Sequence, residues 1–496
     1  MSEEDLIAER RKKLDNIRAS GINPYPYTYK QTHHSKDIHE KHKGLQKEEH
    51  SSEEVSIAGR IMTVRKMGKA AFFDLQDSSG KIQIYIREDS VPEEDFNLFQ
   101  NLDLGDIVGV KGNVFRTKMG ELSIKCKKLT ILTKSLRPLP DKFHGLKDME
   151  IRYRRRYLDL ITNPEIKDVF IKRAQIIREI RNFLDEKGFL EVEIPNLQTQ
   201  YGGASARPFK THINAWDMDL FLSISPEPHL KRLIVGGFEK VYTICKNFRN
   251  EGADKTHNPE FTMLEFYQSY IDYDEGMSII EKMVESVAMS VLGTTKITFR
   301  GETADVKAPW TRITMKDAIK QYAQIDVNSL DDEGLKNIMR NHNIEYEGDF
   351  NKGMAIMKIF EELAEDKIRG PVHLIEHPIE STPLCKSLRT GDNKFIERFE
   401  SYLFGVELTN GYSELNDPIL QRSLLQEQSD ARLMGEETYP MDEDFVQSIE
   451  YGMTPTGGVG LGVDRLVIFL TNSDTIRDVI LFPTMKPEQE TKEDNN

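Results

Sequence analysis

From Val55 to Thr133 apolar and polar residues alternate in short runs: Val55 to Ile61, Ala71 to Leu75, Lys81 to Ile86, Asp106 to Val110 and Leu122 to Ile124. A period of two marks half-buried strands. Five strands in about 80 residues, with Asp77-Ser78-Ser79-Gly80 as a hairpin turn, predict a small closed barrel, for which an OB-fold is the natural candidate. Further on the period lengthens. Val169, Ile176, Ile177, Ile180 and Leu184 fall near helical spacing, so 168–187 is expected to be a long amphipathic helix leading into extended Phe189 to Pro195. Residues 1–54 are highly charged, with a helical start from Asp5 to Ile17, and read as a solvated, partly mobile extension. The barrel is assigned 55–135 and a proline-rich hinge 136–150. A second domain takes 151–487, within which polar, glycine-poor 311–369 reads as a helical insertion outside the sheet, and 488–496 is a tail. The expected class is α+β.

Composition narrows the function. At 496 residues the chain exceeds one ordinary core, and 38% hydrophobic with 30% charged residues suits a soluble globular protein. No apolar run approaches the roughly 20 residues of a membrane span, and MSEEDLIAERRKK has no signal-peptide core, so a cytoplasmic protein without membrane partners is expected. Cys126, Cys245 and Cys385 are too few for a disulfide framework. A net charge of -15 argues against a protein that coats nucleic acid. RNA contact would need local basic patches, and the dense Arg152 to Arg156 stretch reads equally well as a solvated helix face. His33, His34, His39, His42 and His50 cluster near the start without spacing that completes a metal site.

Three stretches carry chemistry. In Glu239 to Glu251 a two-residue period places Arg249 and Glu251 on one strand face. After a turn, a second strand beginning near His257-Asn258-Pro259-Glu260-Phe261 puts Phe261, Met263, Glu265 and Tyr267 on one face. Unpaired buried charges are costly, so a polar ligand explains this concentration better than a structural sheet does. In Phe399 to Glu414, Asn410, Tyr412 and Glu414 share parity. Glu400 and Glu407 lie seven apart, on opposite faces of a straight strand, but a hairpin at Phe404-Gly405 would bring them together as oxygen ligands for Mg²⁺ beside a phosphate. Gly457 to Leu466 is a glycine-rich strand feeding a helix that starts near Arg465, where a ligand can approach backbone. No GxxxxGK[ST] phosphate loop occurs.

These pieces resemble the three motifs of class II aminoacyl-tRNA synthetases: the helix and strand ending at Pro195, Phe248-Arg249-Asn250-Glu251, and Gly460-Leu461-Gly462-Val463-Asp464-Arg465. Gly202 to Phe209, His257 to Met263, Asn410 to Asp417 and Thr475 to Pro483 are similar to lysyl-tRNA synthetases in particular, and the resemblance covers about 55–487. It implies a class II catalytic domain after the barrel, with ATP, Mg²⁺, L-lysine and its tRNA as ligands and a homodimer built on 168–195. It also implies roles. Arg249 would hold the α-phosphate, Glu251 the adenine amino group and Phe261 the adenine face. His257, Asn258 and Arg465 would complete the ATP site, with Arg249 and Arg465 catalytic. Glu400 and Glu407 would hold magnesium. Gly203, Glu227, Glu265, Tyr267, Asn410, Tyr412 and Glu414 would form the lysine pocket, and Phe72 and Gln83 would read anticodon bases. The sequence departs from the family at Pro228-His229, where many lysyl enzymes carry Leu-Tyr, and at Thr409, where a smaller residue is common. The rivals are an aspartyl- or asparaginyl-tRNA synthetase, disfavoured by Glu265 and Glu414, and a ligase that puts lysine on a protein, disfavoured by the barrel. A non-catalytic RNA-binding paralogue would be expected to have lost Arg249, Glu400, Glu407 or Arg465.

Overall fold

A computed structural model describes residues 2–140, 146, 148–346, 348–433 and 441–487, with backbone alone at 431–433. The tail 488–496 and positions 141–145 and 147 of the expected hinge lie outside the described residues. The chain divides into two compact units, Met1–Lys147 and Asp148–Asn496.

The first unit runs α1 (Glu3–Ala19), α2 (Ser35–Lys41), β1 (His50–Met67), β2 (Ala70–Gln76), β3 (Lys81–Arg87), α3 (Glu93–Gln100), β4 (Ile107–Arg116) and β5 (Leu122–Thr133). Its strands close into a barrel in the order β1-β2-β3-β5-β4. The alternation read from sequence sorts inside from outside. Phe73, Leu75, Ile82 and Ile84 are buried in the barrel core, so Phe72 on β2 and Gln83 and Tyr85 on β3 take the outer face. Asp77 to Gly80 is the hairpin turn, its backbone closed from Asp77 N–H to Gly80 C=O at 3.0 Å.

The amino-terminal extension is not a loose linker. Ile17 of α1 and Ile38 of α2 enter the barrel core, and the Ser35 amide and hydroxyl both donate to the Asp77 carboxylate, at 2.6 and 2.7 Å. High charge conceals these few apolar anchors, and β1 itself begins inside the segment, at His50. Of the clustered histidines, His33 and His42 face Glu53 at 3.3 and 3.2 Å.

The second unit begins with α4 (Met149–Arg154), α5 (Arg156–Thr162), α6 (Ile166–Glu186), β6 (Leu190–Glu191), β7 (Leu197–Gln198), β8 (Lys210–Ile213), β9 (Met218–Leu222) and α7 (Glu227–Val235). It continues through β10 (Lys240–Phe248), β11 (Glu260–Ser269), α8 (Tyr273–Leu292), β12 (Lys296–Phe299), β13 (Glu302–Asp305), β14 (Thr311–Thr314), α9 (Met315–Ala318), α10 (Asp332–Asn341) and α11 (Lys352–Leu363). The last elements are β15 (Val372–Pro378), β16 (Phe395–Leu403), β17 (Val406–Ser413), α12 (Pro418–Leu433), α13 (Glu443–Glu450), β18 (Thr456–Gly462), α14 (Val463–Thr471) and α15 (Ile476–Val479). Eight strands form one sheet in the order β14-β15-β16-β17-β18-β11-β10-β6. Its pairings are antiparallel except at the two edges, β14 with β15 and β10 with β6.

Helices α6, α8 and α14 contribute Ile176, Ile180, Met283, Val284, Leu466 and Phe469 to a core that also takes Leu264 and Phe266 of β11. Residues 263, 265 and 267 of β11 therefore point the other way, and that second face of the sheet carries the site. Two sequence expectations change here. Thr311–Thr314 is the sheet's edge strand rather than part of an insertion, while α9 to α11 after it build their own small core around Leu335, Ile359 and Phe360. Three arginines of the basic run at 152–156 are held in structural pairs, while Arg155 is exposed. Arg156 is 1% exposed, pairs with Asp159 at 2.8 Å and donates to the carbonyls of Arg477, Ile480 and Leu481. Arg152 also pairs with Asp159, and Arg154 with Glu150.

Candidate functional site

Two adjoining cavities open on the second face of the sheet, of about 270 and 290 Å³, and share Arg249, Met263, Glu407, Asn410 and Gly460 in their walls. Glycines in β18 make room for them. A Cβ at Gly458 would overlap the Glu414 carboxylate and the Tyr267 ring, and one at Gly460 would stand 2.8 Å from Met263 Cε.

The outer cavity is lined by Arg249, Glu251, His257, Asn258, Phe261 and Arg465, among others. The expectation that Arg249 and Glu251 share a strand face is corrected: β10 ends at Phe248, and both residues sit on the loop that follows. They still converge, because the Arg249 amide bonds to the Pro259 carbonyl at 2.9 Å and ties the loop to the foot of β11. The Arg249 guanidinium lies 5.2 Å from the Phe261 ring centroid, and its Nε is buried with no hydrogen-bond partner among the described residues. A buried donor left in that state is suited to an anion. Glu251 accepts from the Arg207 amide at 3.2 Å. His257 is exposed and leans on Asp254 at 2.9 Å; burial acts on the Asp254 carboxyl in the opposite sense, but the His257 and Thr256 bonds outweigh it and lower its pKa. Asn258 donates to the Glu260 carbonyl at 2.5 Å and keeps its own Oδ1 without a partner among the described residues. Arg465, in the first turn of α14, reaches Glu407 Oε2 at 3.0 Å.

Glu400 and Glu407 come together as the hairpin reading required. Phe404 and Gly405 adopt φ of 53° and 75° at its tip, and a register shift between Ser401 and Tyr402 lets both acids line the inner cavity. Glu400 is held by Arg398 at 2.6 Å and by the Tyr402 hydroxyl at 2.7 Å. Glu365, which follows α11, was not foreseen. Burial first, then the charges of Glu400 and Glu407, push its carboxyl up to about 7. Among the described residues no three His, Cys, Asp or Glu side chains converge closely enough to cage a metal. A pair of carboxylates in an acid-rich corner does fit Mg²⁺ that completes its shell with phosphate and water.

The inner cavity is acidic. Glu227, Glu265 and Glu414 are 4%, 4% and 1% exposed, and with Gly203, Tyr267, Asn410 and Tyr412 they line it. Glu265 accepts from the Ser225 and Tyr267 hydroxyls at 3.0 and 3.1 Å. Burial first, and the charge of Glu227 next, push its carboxyl up to about 8. The Tyr412 hydroxyl donates to Glu227 at 2.6 Å. Gly203 has φ of 81°, and a Cβ there would press on Ser225, Glu227 and Pro228. Pro228 falls in the first turn of α7, where its missing N–H costs nothing, while His229 Nδ1 is buried without a partner among the described residues. Sequence reasoning missed Lys231 and Arg398. Lys231 stands four residues after Glu227 on α7, and Arg398 two before Glu400 on β16, so helix and strand spacing would have found each.

On the barrel, Phe72 and Gln83 lie on neighbouring strands of the outer face. Phe72 packs on Tyr85 with centroids 4.7 Å apart, Tyr85 meets Phe115 at 6.1 Å, and Phe115 stacks on His50 at 5.3 Å. Gln83 accepts from the Ser123 hydroxyl at 3.0 Å.

Comparison with known proteins gives the same division of the chain. Residues 148–486 match the family described as tRNA synthetases class II (D, K and N), and 55–132 match the OB-fold nucleic acid binding domain. A lysine–tRNA ligase of Moorella thermoacetica is 50% identical over 491 residues, 99% of either chain. One from Halalkalibacterium halodurans is 49% identical over 98% of either chain. One from Clostridium perfringens is 49% identical over 99% of this chain and 97% of its own.

Proposed function

The chain belongs to the class II tRNA synthetases (D, K and N), and on that premise we propose that its two cavities are the ATP and lysine sites of a lysine–tRNA ligase. Such an enzyme joins lysine to ATP as lysyl-adenylate, releasing pyrophosphate, and transfers lysine to the 3′ end of its tRNA. The observation that carries the substrate is the inner cavity: three buried carboxylates select an amino acid with a cationic side chain over aspartate or asparagine.

The roles follow the chemistry. The lysine carboxylate attacks the α-phosphorus, so the protein must align the reactants and offset phosphate charge rather than provide a nucleophile. Arg249, with its unsatisfied Nε, meets the α-phosphate; Arg465 and His257 meet the terminal phosphates. Phe261 stacks against adenine, with Glu251 at its amino group and Asn258 beside it. Glu400 and Glu407 would hold Mg²⁺, which would add positive charge at the phosphates. Glu227 and Gly203 border the lysine site, Glu265 and Glu414 meet its ammonium, and Tyr267, Asn410 and Tyr412 complete the walls. Phe72 and Gln83 read anticodon bases.

No described helix is long and apolar enough to cross a membrane. A cytoplasmic site of action follows from the lysine–tRNA ligase reading. The working form is a homodimer. Pyrophosphate exchange assayed with each of the twenty amino acids tests the substrate. Exchange dependent on lysine and ATP is expected, and activation of aspartate or asparagine in preference to lysine would overturn the reading.

A further inference from the structure

Lys231 is 0% exposed, and its ammonium lies behind the wall of the inner cavity. Helix α7 carries Glu227 in its first turn and Lys231 one turn later, so the two side chains stack on the same face. Lys231 Nζ is 2.5 Å from Glu227 Oε1 and is in ion-pair contact with Glu414 Oε2. The rings of Tyr412 and Phe445 flank it, with centroids 5.5 and 5.7 Å away. Glu227 Oε2 is taken by the Tyr412 hydroxyl, so both Glu227 oxygens are occupied. Both Glu414 oxygens are buried without a hydrogen bond among the described residues, and Oε2 is the one that has the Lys231 ammonium against it. Three buried acids without an internal cation would repel one another, and a single cation pairs with two of them unequally.

We propose that Lys231 sets the charge of the amino-acid chamber: it neutralises Glu227 and holds one oxygen of Glu414, which directs the substrate's side-chain ammonium to the other Glu414 oxygen and Glu265. Lys231 is then a positioning residue that determines specificity without touching substrate. This rests on the reading of the chamber as the lysine site. Burial opposes the Lys231 charge, but Glu227 and Glu414 outweigh it and hold the ammonium protonated. The same carboxylates that would read a substrate cation are thus kept in register by one belonging to the protein.

The test uses the full-length enzyme in lysine-dependent pyrophosphate exchange, with Lys231→Met, Glu227→Gln and the double variant. Lys231→Met keeps the length of the side chain and removes its charge. It is expected to raise lysine KM roughly tenfold or more while ATP KM stays within about twofold, because charges in one network couple strongly. In the Glu227→Gln background, where one of the two acids paired with Lys231 is gone, the same change is expected to cost under about threefold. A packing role predicts equal losses in both backgrounds, and that result would overturn the proposal, as would an unchanged lysine KM in the single variant. A single variant that fails to fold beside a soluble, active double variant supports the charge role; failure of both to fold overturns it. Parent enzyme that prefers another amino acid would remove the lysine reading itself, an outcome separate from any behaviour of the variants.

Discussion

On the proposed reading Glu265 faces an arriving lysine from the middle of β11, and its carboxyl, pushed up to about 8 by burial and by Glu227, is protonated at neutral pH before lysine binds. An ammonium favours the ionised form, so binding must pull that pKa down and expel the proton. Lysine affinity should therefore rise with pH by up to about tenfold per unit and level off above about pH 8. Calorimetric titration near pH 7 in buffers of different ionisation heat should show about one proton released per lysine; no release would mean that Glu265 is already ionised. Glu414→Gln supplies a second measure. A carboxylate about 4 Å from an ammonium returns roughly 4 kcal/mol at an effective dielectric near 20. The substitution should raise lysine KM at least tenfold with little change for ATP, and the parent should reject norleucine, which leaves the buried acids unpaired. Both residues were legible in the sequence, because alternation along one strand sets Glu265 with Phe261 and Tyr267, and another sets Glu414 with Asn410 and Tyr412. Lys231 was within reach of i, i+4 spacing from Glu227, but its second partner, Glu414, lies 183 positions later in sequence and is adjacent only in the fold.

At the scale of elements, the hairpin β16–β17 presents Glu400, Glu407 and Asn410, and a buried chain of polar groups fixes it from behind. His373 on β15 binds Glu281 of α8 at 3.0 Å through Nε2 and Ser401 of β16 at 2.9 Å through Nδ1. Ser401 in turn pairs with Thr409 of β17. Burial lowers the His373 pKa against the pull of Glu281, so the ring is neutral. It then donates from Nε2 to Glu281 and accepts at Nδ1 from Ser401, whose oxygen accepts from Thr409. Thr409, a departure in sequence terms, is the last link. Ser401→Ala strands both neighbours and should destabilise the enzyme by about 1–3 kcal/mol in urea denaturation; an unchanged midpoint would show the chain to be dispensable. Among this sheet's strands, β10, β11, the β16–β17 hairpin and β18 were legible from side-chain parity or glycine content, whereas Thr311–Thr314 read as part of an insertion. The loop from Arg249 to His257 was not legible, since strand parity cannot tell where a strand stops; β10 ends at Phe248 and a backbone bond to Pro259 turns the chain.

For the molecule as a whole, the barrel should contribute to RNA recognition and the sheet unit to adenylate formation. Under the proposed anticodon role, removing the Phe72 ring from its stack with Tyr85 forfeits base stacking worth about 1–3 kcal/mol. Phe72→Ala should therefore lower charging of tRNA about tenfold or more while pyrophosphate exchange is retained; an equal fall in both would make Phe72 a folding residue. Assembly is the remaining step. Helix α6 buries Ile176, Ile180 and Leu184 against the sheet, yet Ile171 on the same helix is 54% exposed, and Leu190 and Leu197 beyond it are 48% and 52% exposed. Apolar side chains along a segment whose other face is already packed suit a self-complementary two-fold contact, in which one patch serves both partners. Light scattering at micromolar concentration should give twice the chain's 57.2 kDa. Ile171→Glu and Leu190→Glu together place two like charges on each side of that contact and should shift the population toward monomer. A parent that is monomeric at micromolar concentration would sink the dimer, whereas a dimer indifferent to both substitutions would move the contact to another face.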